Sequence, residues 1–277
     1  MVLQSPQPTN PEGESLTVEQ ALNNLRQTQD PSLRYYAAWW IGRFRVNRPE
    51  AIEALVEALS DQSDRAPDGG YPLRRNAARA LGKLGELSAV PALINCLDCD
   101  DYYVREAAAQ ALELLGDRRA VAALKALLVG GLAAATEVPG KPHLTQPYNA
   151  ILEALGSLGE GSVVAEVEPF LHHGVPQVQN AAARAMYQLT GDTAYGDRLV
   201  QHLHGQNLQL RRSALMDLGA IGYLPAAQPI ATTLAENSLK LIALQGILEI
   251  QLQQSQFPGP GLSPSVRQVL GLMDDLL

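Results

Sequence analysis

Cysteine, aromatic side chains and positive charge are all scarce in this chain, and each shortage narrows what it can be. Two cysteines, Cys96 and Cys99, stand among 277 residues. Their spacing, CLDC, suits a redox pair or half of a zinc site, but there is no second pair to complete such a site. Cys96 falls in the apolar pattern of a helix, and no thioredoxin-like βαβ pattern surrounds it. The pair therefore reads as two buried or half-buried thiols in a reducing cytosol. Acidic residues outnumber basic ones, 29 to 21, for a net charge of −8. General nucleic-acid binding needs a basic footprint, so that class is set aside and the charge reads as ordinary solubility charge. No apolar stretch is long enough to span a bilayer; residues 127–135 are apolar but short and interrupted by glycine. The N-terminus lacks a basic region followed by an apolar run, so no signal peptide is expected and a cytoplasmic location is.

Catalytic signatures are missing too. The chain contains no GxxxxGK[ST], no GxGxxG after a strand, no HExxH and no GxSxG, and no pair of carboxylates stands out. No self-contained nucleophile and no metal site is expected. From the residues alone, the default is a binding scaffold whose curved surface holds a partner.

What the chain has is a repeated phrase. Residues 73–85 read LRRNAARALGKLG, 104–116 VREAAAQALELLG, 178–191 VQNAAARAMYQLTG and 210–222 LRRSALMDLGAIG. Residues 150–159 keep the second half, AILEALGSLG, and 33–42 keep the first half rewritten with aromatics, LRYYAAWWIG. The starts at Leu73 and Val104, Pro147 and Val178, and Val178 and Leu210 are each separated by about thirty residues, the period of a stacked repeat protein. Ala and Leu favour helix, and Ala77, Leu81 and Leu84 recur at three- and four-residue steps, making one buried stripe. The small residues allow close helix approach, and the terminal glycine suits a left-handed cap. A turn follows, often with a proline near the next helix start (Pro49, Pro91, Pro225), and then a second helix is expected at 50–59, 92–97, 120–128, 163–171, 195–203 and 226–234. Two helices per unit resemble HEAT-like repeats. The expected fold is all-α, a right-handed α-solenoid of about six to seven stacked helix pairs, because one pair cannot bury its own apolar face. The expected organisation is a disordered leader over 1–14 and a single solenoid over 15–277, with insertions near 60–72 and 130–148.

Along the chain, Ser15 or Thr17 is expected to cap a first helix through Leu25, with Glu19 in its early turn, and Asp30-Pro31 to open the next. The passage YYAAWWIGRFR then holds both tryptophans. On a helix, Tyr36 and Trp40 share a face, while Tyr35, Trp39 and Phe44 are offset from it. A core stripe does not need aromatics all round, so some of these rings should face outward or into a cleft. Two readings stand: a helix packed on both sides by its neighbours, or a platform for a planar anionic ligand or a partner protein, with Arg34, Arg43 and Arg45 beside it. The first insertion, DQSDRAPDGGYP, is a loop by composition, with Tyr71 at its exit beside Arg74. Arg34, Arg74, Arg105 and Arg211 occupy one phrase position and are expected to pair with the preceding loop, Arg105 with Asp100 or Asp101. DDYY links to the third unit. The second insertion, GGLAAATEVPGKPHLTQPY, carries Lys141, His143 and Tyr148 and is a second candidate functional loop. His172, His173, His202 and His204 end second helices and read as partners of the helix dipole. FPGPGLSP breaks the last repeat, and residues 266–277 form an amphipathic end helix.

The passages RYYAAWWIGRFR, APDGGYPLRRNAARALGKLG and KPHLTQPYNAILEALGSLG closely resemble the E subunits of heterodimeric E/F-type phycocyanobilin lyases, from about Leu16 to the C-terminal helix. In that family the HEAT-like units are known as bilin-lyase repeats. The resemblance implies an enzyme that, with an F-type subunit, attaches phycocyanobilin through a thioether to a cysteine of the phycocyanin α-subunit apoprotein. The acceptor supplies the thiol, which accords with the lack of a nucleophile here. The bilin would be substrate, with no resident cofactor, no metal, no nucleic acid and no membrane span. Aromatic faces would sort the tetrapyrrole, arginines would hold its propionates and a carboxylate would meet its pyrrole N–H groups. The implied bilin-binding or partner-interface candidates are Tyr35, Tyr36, Trp39, Trp40 and Arg43 on the platform, Asp68, Tyr71, Arg74 and Asn76 at the first loop, and His143 and Tyr148 at the second; no catalytic acid or base is assigned. The competing class is a non-catalytic HEAT-repeat scaffold or chaperone for phycobiliprotein assembly.

Overall fold

The computed structural model describes residues 16–63, 65–67, 69–159, 161–254 and 262–277. The expected leader and most of FPGPGLSP lie outside these residues, as does Asp68. Among the described residues the chain is helical, with no β-strand. It divides into two compact units. One holds the described residues up to Ala126 together with Gly140–Pro147; the other holds Leu127–Pro139 and Tyr148–Leu277.

The first unit contains α1 (Val18–Arg26), α2 (Pro31–Arg43), α3 (Pro49–Ala58), α4 (Pro72–Leu84), α5 (Val90–Cys96), α6 (Tyr102–Leu115) and α7 (Val121–Ala126). The long helices α2, α4 and α6 lie side by side, and the shorter α1, α3 and α5 pack against α2, α4 and α6 in turn. Thr17 caps α1 in a capping box completed by Gln20, while Glu19 reaches instead to Arg48 at 2.9 Å. Asp30 caps α2 and Pro31 occupies its first turn. The repeated phrase shows its purpose in α4: Ala77, Ala78, Ala80 and Leu81 are all buried. The small residues set the spacing between neighbours. A Cβ on Gly42 would lie 2.7 Å from the Ala80 Cα, and one on Gly82 would lie 2.8 Å from the Ala111 Cα, so α2, α4 and α6 approach as closely as glycine permits. Gly85 ends α4 in the left-handed region, φ 75°. Arg45 stands at the corresponding place after α2 and takes the same conformation without being glycine, φ 51°, with its guanidinium held by the Lys83 carbonyl at 2.9 Å.

The second unit contains α8 (Gly131–Ala134), α9 (Tyr148–Leu158), α10 (Val164–Val167), α11 (Pro176–Thr190), α12 (Thr193–Leu203), α13 (Leu208–Ile221), α14 (Ala227–Thr232), α15 (Asn237–Gln254) and α16 (Pro264–Asp274). Here α9, α11, α13 and α15 form the row of long helices, and α16 packs on α15 and α14. The end helix starts earlier than its apolar pattern suggests, at Pro264 behind a Ser263 cap. The expected helix over 163–171 is broken into α10 and a 3-10 turn, Glu168–His172. Pro169 explains the break: it has no N–H to donate into the α-helical ladder, while Glu168 before it keeps helical backbone, φ −51° and ψ −43°. The structure is thus all-α and built of HEAT-like helix pairs. No helix among the described residues is long and apolar enough to cross a membrane.

The arginines at the shared phrase position seek carbonyls more than carboxylates. Arg74 donates to the carbonyls of Asp61 and Ser60, Arg105 to those of Cys99 and Asp100, and Arg211 to those of Gly205 and Leu234. Arg34 takes the Leu25 carbonyl and also pairs with Asp61 at 2.7 Å. Helix ends leave carbonyls without intrahelical partners, and a guanidinium has five donors to meet them. The expected partner acids of Arg105 are engaged elsewhere: Asp100 pairs with Arg65, and Asp101 caps α6.

Candidate functional site

In the first unit, α2 sorts its aromatic residues by helical phase. Trp40 turns inward, 6% exposed, and packs on Phe44 with ring centroids 4.8 Å apart. Tyr35 and Trp39, one turn apart on the opposite side, are 37% and 39% exposed. Tyr36 lies between these extremes and stacks on Trp39 at 5.5 Å; burial raises its hydroxyl pKa. Arg43 is exposed at the end of the helix. The rings therefore divide as expected between inside and outside, with Trp40 in the core and Trp39 and Tyr35 presented outward.

The first loop folds back over α4. Tyr71 is buried between two guanidiniums, Arg74 at 4.0 Å and Arg65 at 4.9 Å from its ring centre, and its N–H donates to Asp101 Oδ2 at 2.8 Å. Arg74 faces inward, on carbonyls and on Cys99 Sγ at 3.6 Å. Asn76 joins the loop side of α4 to the platform, donating to the Tyr35 carbonyl at 2.9 Å. An open groove of 630 Å³ runs between the first turns of α2 and α4, lined by Tyr35, Arg65, Arg75 and Asn76 among polar and prolyl neighbours.

Beside this groove the DDYY link builds an aromatic cluster. Arg75 lies over the Tyr103 ring at 4.8 Å, Tyr103 meets Tyr102 edge-on, and Tyr102 stacks on His143 at 4.2 Å and 13°. Burial, reinforced by nearby Glu106, pushes the Tyr102 hydroxyl up to about 12. Burial also raises Glu106, although Arg79 and Arg75 pull it down. Arg105 holds the second loop in place through Gln146 and the Thr145 carbonyl. His143 thus joins the Tyr71 side of the first unit. Tyr148 belongs to the second unit, 2% exposed against Phe170 at 5.2 Å. Arg65, Arg75, Tyr102, Tyr103 and Glu106 are the members that sequence reasoning missed. The doubled Arg74-Arg75 and the doubled tyrosine of DDYY were the available signals.

Other polar groups have structural work. Cys96 is buried, which pushes its thiol up to about 12; Cys99 is half-buried, and both are free. Among the described residues no group of three or more His, Cys, Asp or Glu could hold a metal ion. Two of the four histidines expected at helix dipoles, His173 and His202, have other work, while His172 lies in the last turn of its 3-10 segment and His204 at the C-cap of α12. His173 is buried, takes the Val175 N–H on Nδ1 and directs Nε2 to the Ala135 carbonyl at 3.0 Å, fastening the segment before α9 within its own unit. His202 is set against Asn180 Oδ1, and burial followed by Arg198 lowers its pKa, so the positive charge a dipole partner needs is disfavoured.

Comparison with known proteins places this architecture. The PBS lyase HEAT-like repeat family matches residues 33–61, and HEAT repeats match residues 65–131. The phycocyanobilin lyase subunit alpha of Synechocystis sp. is 63% identical over 262 residues, covering 94% of this chain and 96% of that protein. Its counterpart in Picosynechococcus sp. is 58% identical over 264 residues, covering 95% and 97%. Bilin biosynthesis protein PecE of Mastigocladus laminosus is 47% identical over 225 residues, covering 81% and 78%. A chain in the solved complex of CpcE and CpcF of phycocyanin lyase from Nostoc sp. superposes with a TM-score of 0.90 at 56% identity, covering 99% of both chains. The likeness runs along nearly the whole chain, and the chain belongs to the family of phycocyanobilin lyase alpha subunits.

Proposed function

We propose that this chain, paired with an F-type subunit, attaches phycocyanobilin to a cysteine of the phycocyanin α subunit through a thioether. The observation that carries this reading is the end-to-end likeness to a chain of the CpcE–CpcF complex, at 99% coverage of both. The acceptor's thiol would add across the ethylidene double bond of the bilin, sulfur bonding to the outer carbon and a proton passing to the ring carbon, with no net oxidation. The lyase contributes geometry more than covalent chemistry: holding thiolate and ethylidene in reacting orientation replaces a bimolecular encounter with a positioned one. A positioned acid would deliver the proton. The first unit offers suitable parts, with exposed Tyr35 and Trp39 faces for a planar pigment and basic side chains around the first loop for its carboxylates. Asp68 and Arg43 remain candidates of the same reading, for bilin or for the partner interface. The pigment is substrate, so no resident cofactor is needed.

The test is an omission series. This chain, an F-type subunit, phycocyanobilin and phycocyanin α apoprotein are produced together, and adducts are scored on zinc-stained gels. The reading expects a fluorescent acceptor band that disappears when either subunit is left out. A band of equal strength without this chain would overturn it in favour of a scaffold that only assists assembly.

A further inference from the structure

The tandem arginines Arg74 and Arg75 are adjacent in sequence but differently employed. Arg74 has its guanidinium committed to the carbonyls of Ser60 and Asp61, to Cys99 and to the Tyr71 face. Arg75 donates no side-chain hydrogen bond among the described residues, and its Nε is buried without an acceptor. Its guanidinium carbon lies 4.8 Å from the centre of the Tyr103 ring, whose neighbour Tyr102 is backed by His143, and the Glu106 carboxyl is within its electrostatic reach. A buried guanidinium N–H without an acceptor is costly, and such groups in native proteins usually have a partner or a purpose. Arg75 lines the 630 Å³ groove, within the roughly 300–1,000 Å³ typical of small-molecule sites. Arg65 lines the same groove. It donates from Nε to the Gly69 carbonyl at 3.2 Å and, among the described residues, pairs with Asp100 at 3.0 Å, between side chains 52% and 64% exposed; such a pair is weak and easily exchanged. The walls supply flat apolar surface from Tyr35, Pro67 and Pro72. The first turn of α4 borders the groove and adds the positive end of its dipole.

We propose that this groove is a carboxylate subsite, in which Arg75, seconded by Arg65, holds a propionate side arm of the bilin while Tyr35 and the prolines cover the attached pyrrole ring. The proposal rests on the bilin-lyase reading above and specifies where one end of the substrate is anchored. A guanidinium packed on an aromatic ring keeps its N–H edge available for two-point recognition of a planar carboxylate. Anchoring a propionate would fix the register of the tetrapyrrole along the subunit and so set which end meets the acceptor thiol.

The test compares phycocyanobilin with its dimethyl ester, which keeps the rings and removes both carboxylates. Each is titrated into the full heterodimer, wild type, Arg75→Gln and Arg65→Gln, following the bilin absorption change. The wild type is expected to bind the diacid about tenfold more tightly than the ester, since one charge-assisted hydrogen bond is worth about that factor. Arg75→Gln should lose about tenfold for the diacid and leave the ester unchanged. Arg65→Gln should lose about threefold for the diacid alone; its side chain is exposed, so this arm decides the matter even if Arg75→Gln assembles poorly. Equal binding of diacid and ester by wild type, or equal losses for both ligands in the variants, would overturn the subsite. If that happens while wild type still forms the covalent adduct, the lyase reading stands and only the subsite falls. Absence of the adduct with wild type would remove the lyase reading itself.

Discussion

Trp39 and Trp40 are neighbours in sequence and opposites in energetics. Trp40 is 6% exposed, so Trp40→Ala should cost about 3–5 kcal/mol in urea unfolding, as expected for an aromatic deleted from a core. Trp39→Ala should cost less than about 1.5 kcal/mol, because much of its ring already faces solvent. Measuring the two together checks the assignment of faces; equal losses would contradict it. Gly42 makes a different claim. Valine there would drive a Cβ to within 2.7 Å of the Ala80 Cα, a backbone atom that cannot step aside alone, and should destabilise by about 1–3 kcal/mol. His202 carries a pH prediction. Burial lowers its folded-state pKa below the ordinary value, so the unfolded chain takes up this proton first. The stability it contributes is full above about pH 6.5 and is lost as pH falls through the lowered folded value. His202→Gln should flatten the slope of unfolding free energy against pH between about 7 and 5; an unchanged slope would contradict the burial argument.

At the scale of elements, Asp101 ties two pieces together. It caps α6 through the Tyr103 N–H and accepts the Tyr71 N–H at the end of the first loop, and it is itself buried. Asp101→Ala removes a helix cap and leaves a buried backbone donor unmet, so a loss of about 2–4 kcal/mol is expected by thermal or urea unfolding. The long helices were legible because Ala and Leu at helical spacing, closed by glycine, leave few alternatives, and Gly85, Gly116, Gly191 and Gly222 all take left-handed backbone. The second helices were less so: they are short, and Pro169 turns one of them into a 3-10 segment. The carbonyl partners of Arg74, Arg105 and Arg211 were illegible for a simple reason. Every residue has a carbonyl, so an acceptor of that kind leaves no mark in the sequence. Nor could spacing decide between Arg74 and Arg75; that depends on the phase of α4 and on a tyrosine about thirty residues away. The stack of His143 on Tyr102 is a return of the second loop to its own unit, a tertiary event that composition does not announce.

For the molecule as a whole, the two units are built by one rule, close rows of long helices buttressed by short ones, yet the features suited to a planar anion gather in the first unit. Acid should lower stability modestly, since the carboxylates concerned are exposed and their ion pairs screened. Arg212 holds the Glu236 carboxyl down at about 2, Arg119 lowers Asp117, and a backbone hydrogen bond followed by Arg48 lowers Glu19. Stability from these carboxylates is complete above about pH 4.5 and is lost as pH falls through their lowered values, with Glu106 working in the opposite sense because burial raises it. The central claim is that this chain accelerates and directs bilin attachment. It is tested most directly by a time course with purified heterodimer, phycocyanobilin and phycocyanin α apoprotein, following the absorption of the acid-denatured acceptor against a control without lyase. The account predicts faster formation of a single phycocyanobilin thioether adduct at one acceptor cysteine. The same rate and the same adduct spectrum as spontaneous addition, from subunits that nonetheless form a complex, would contradict it.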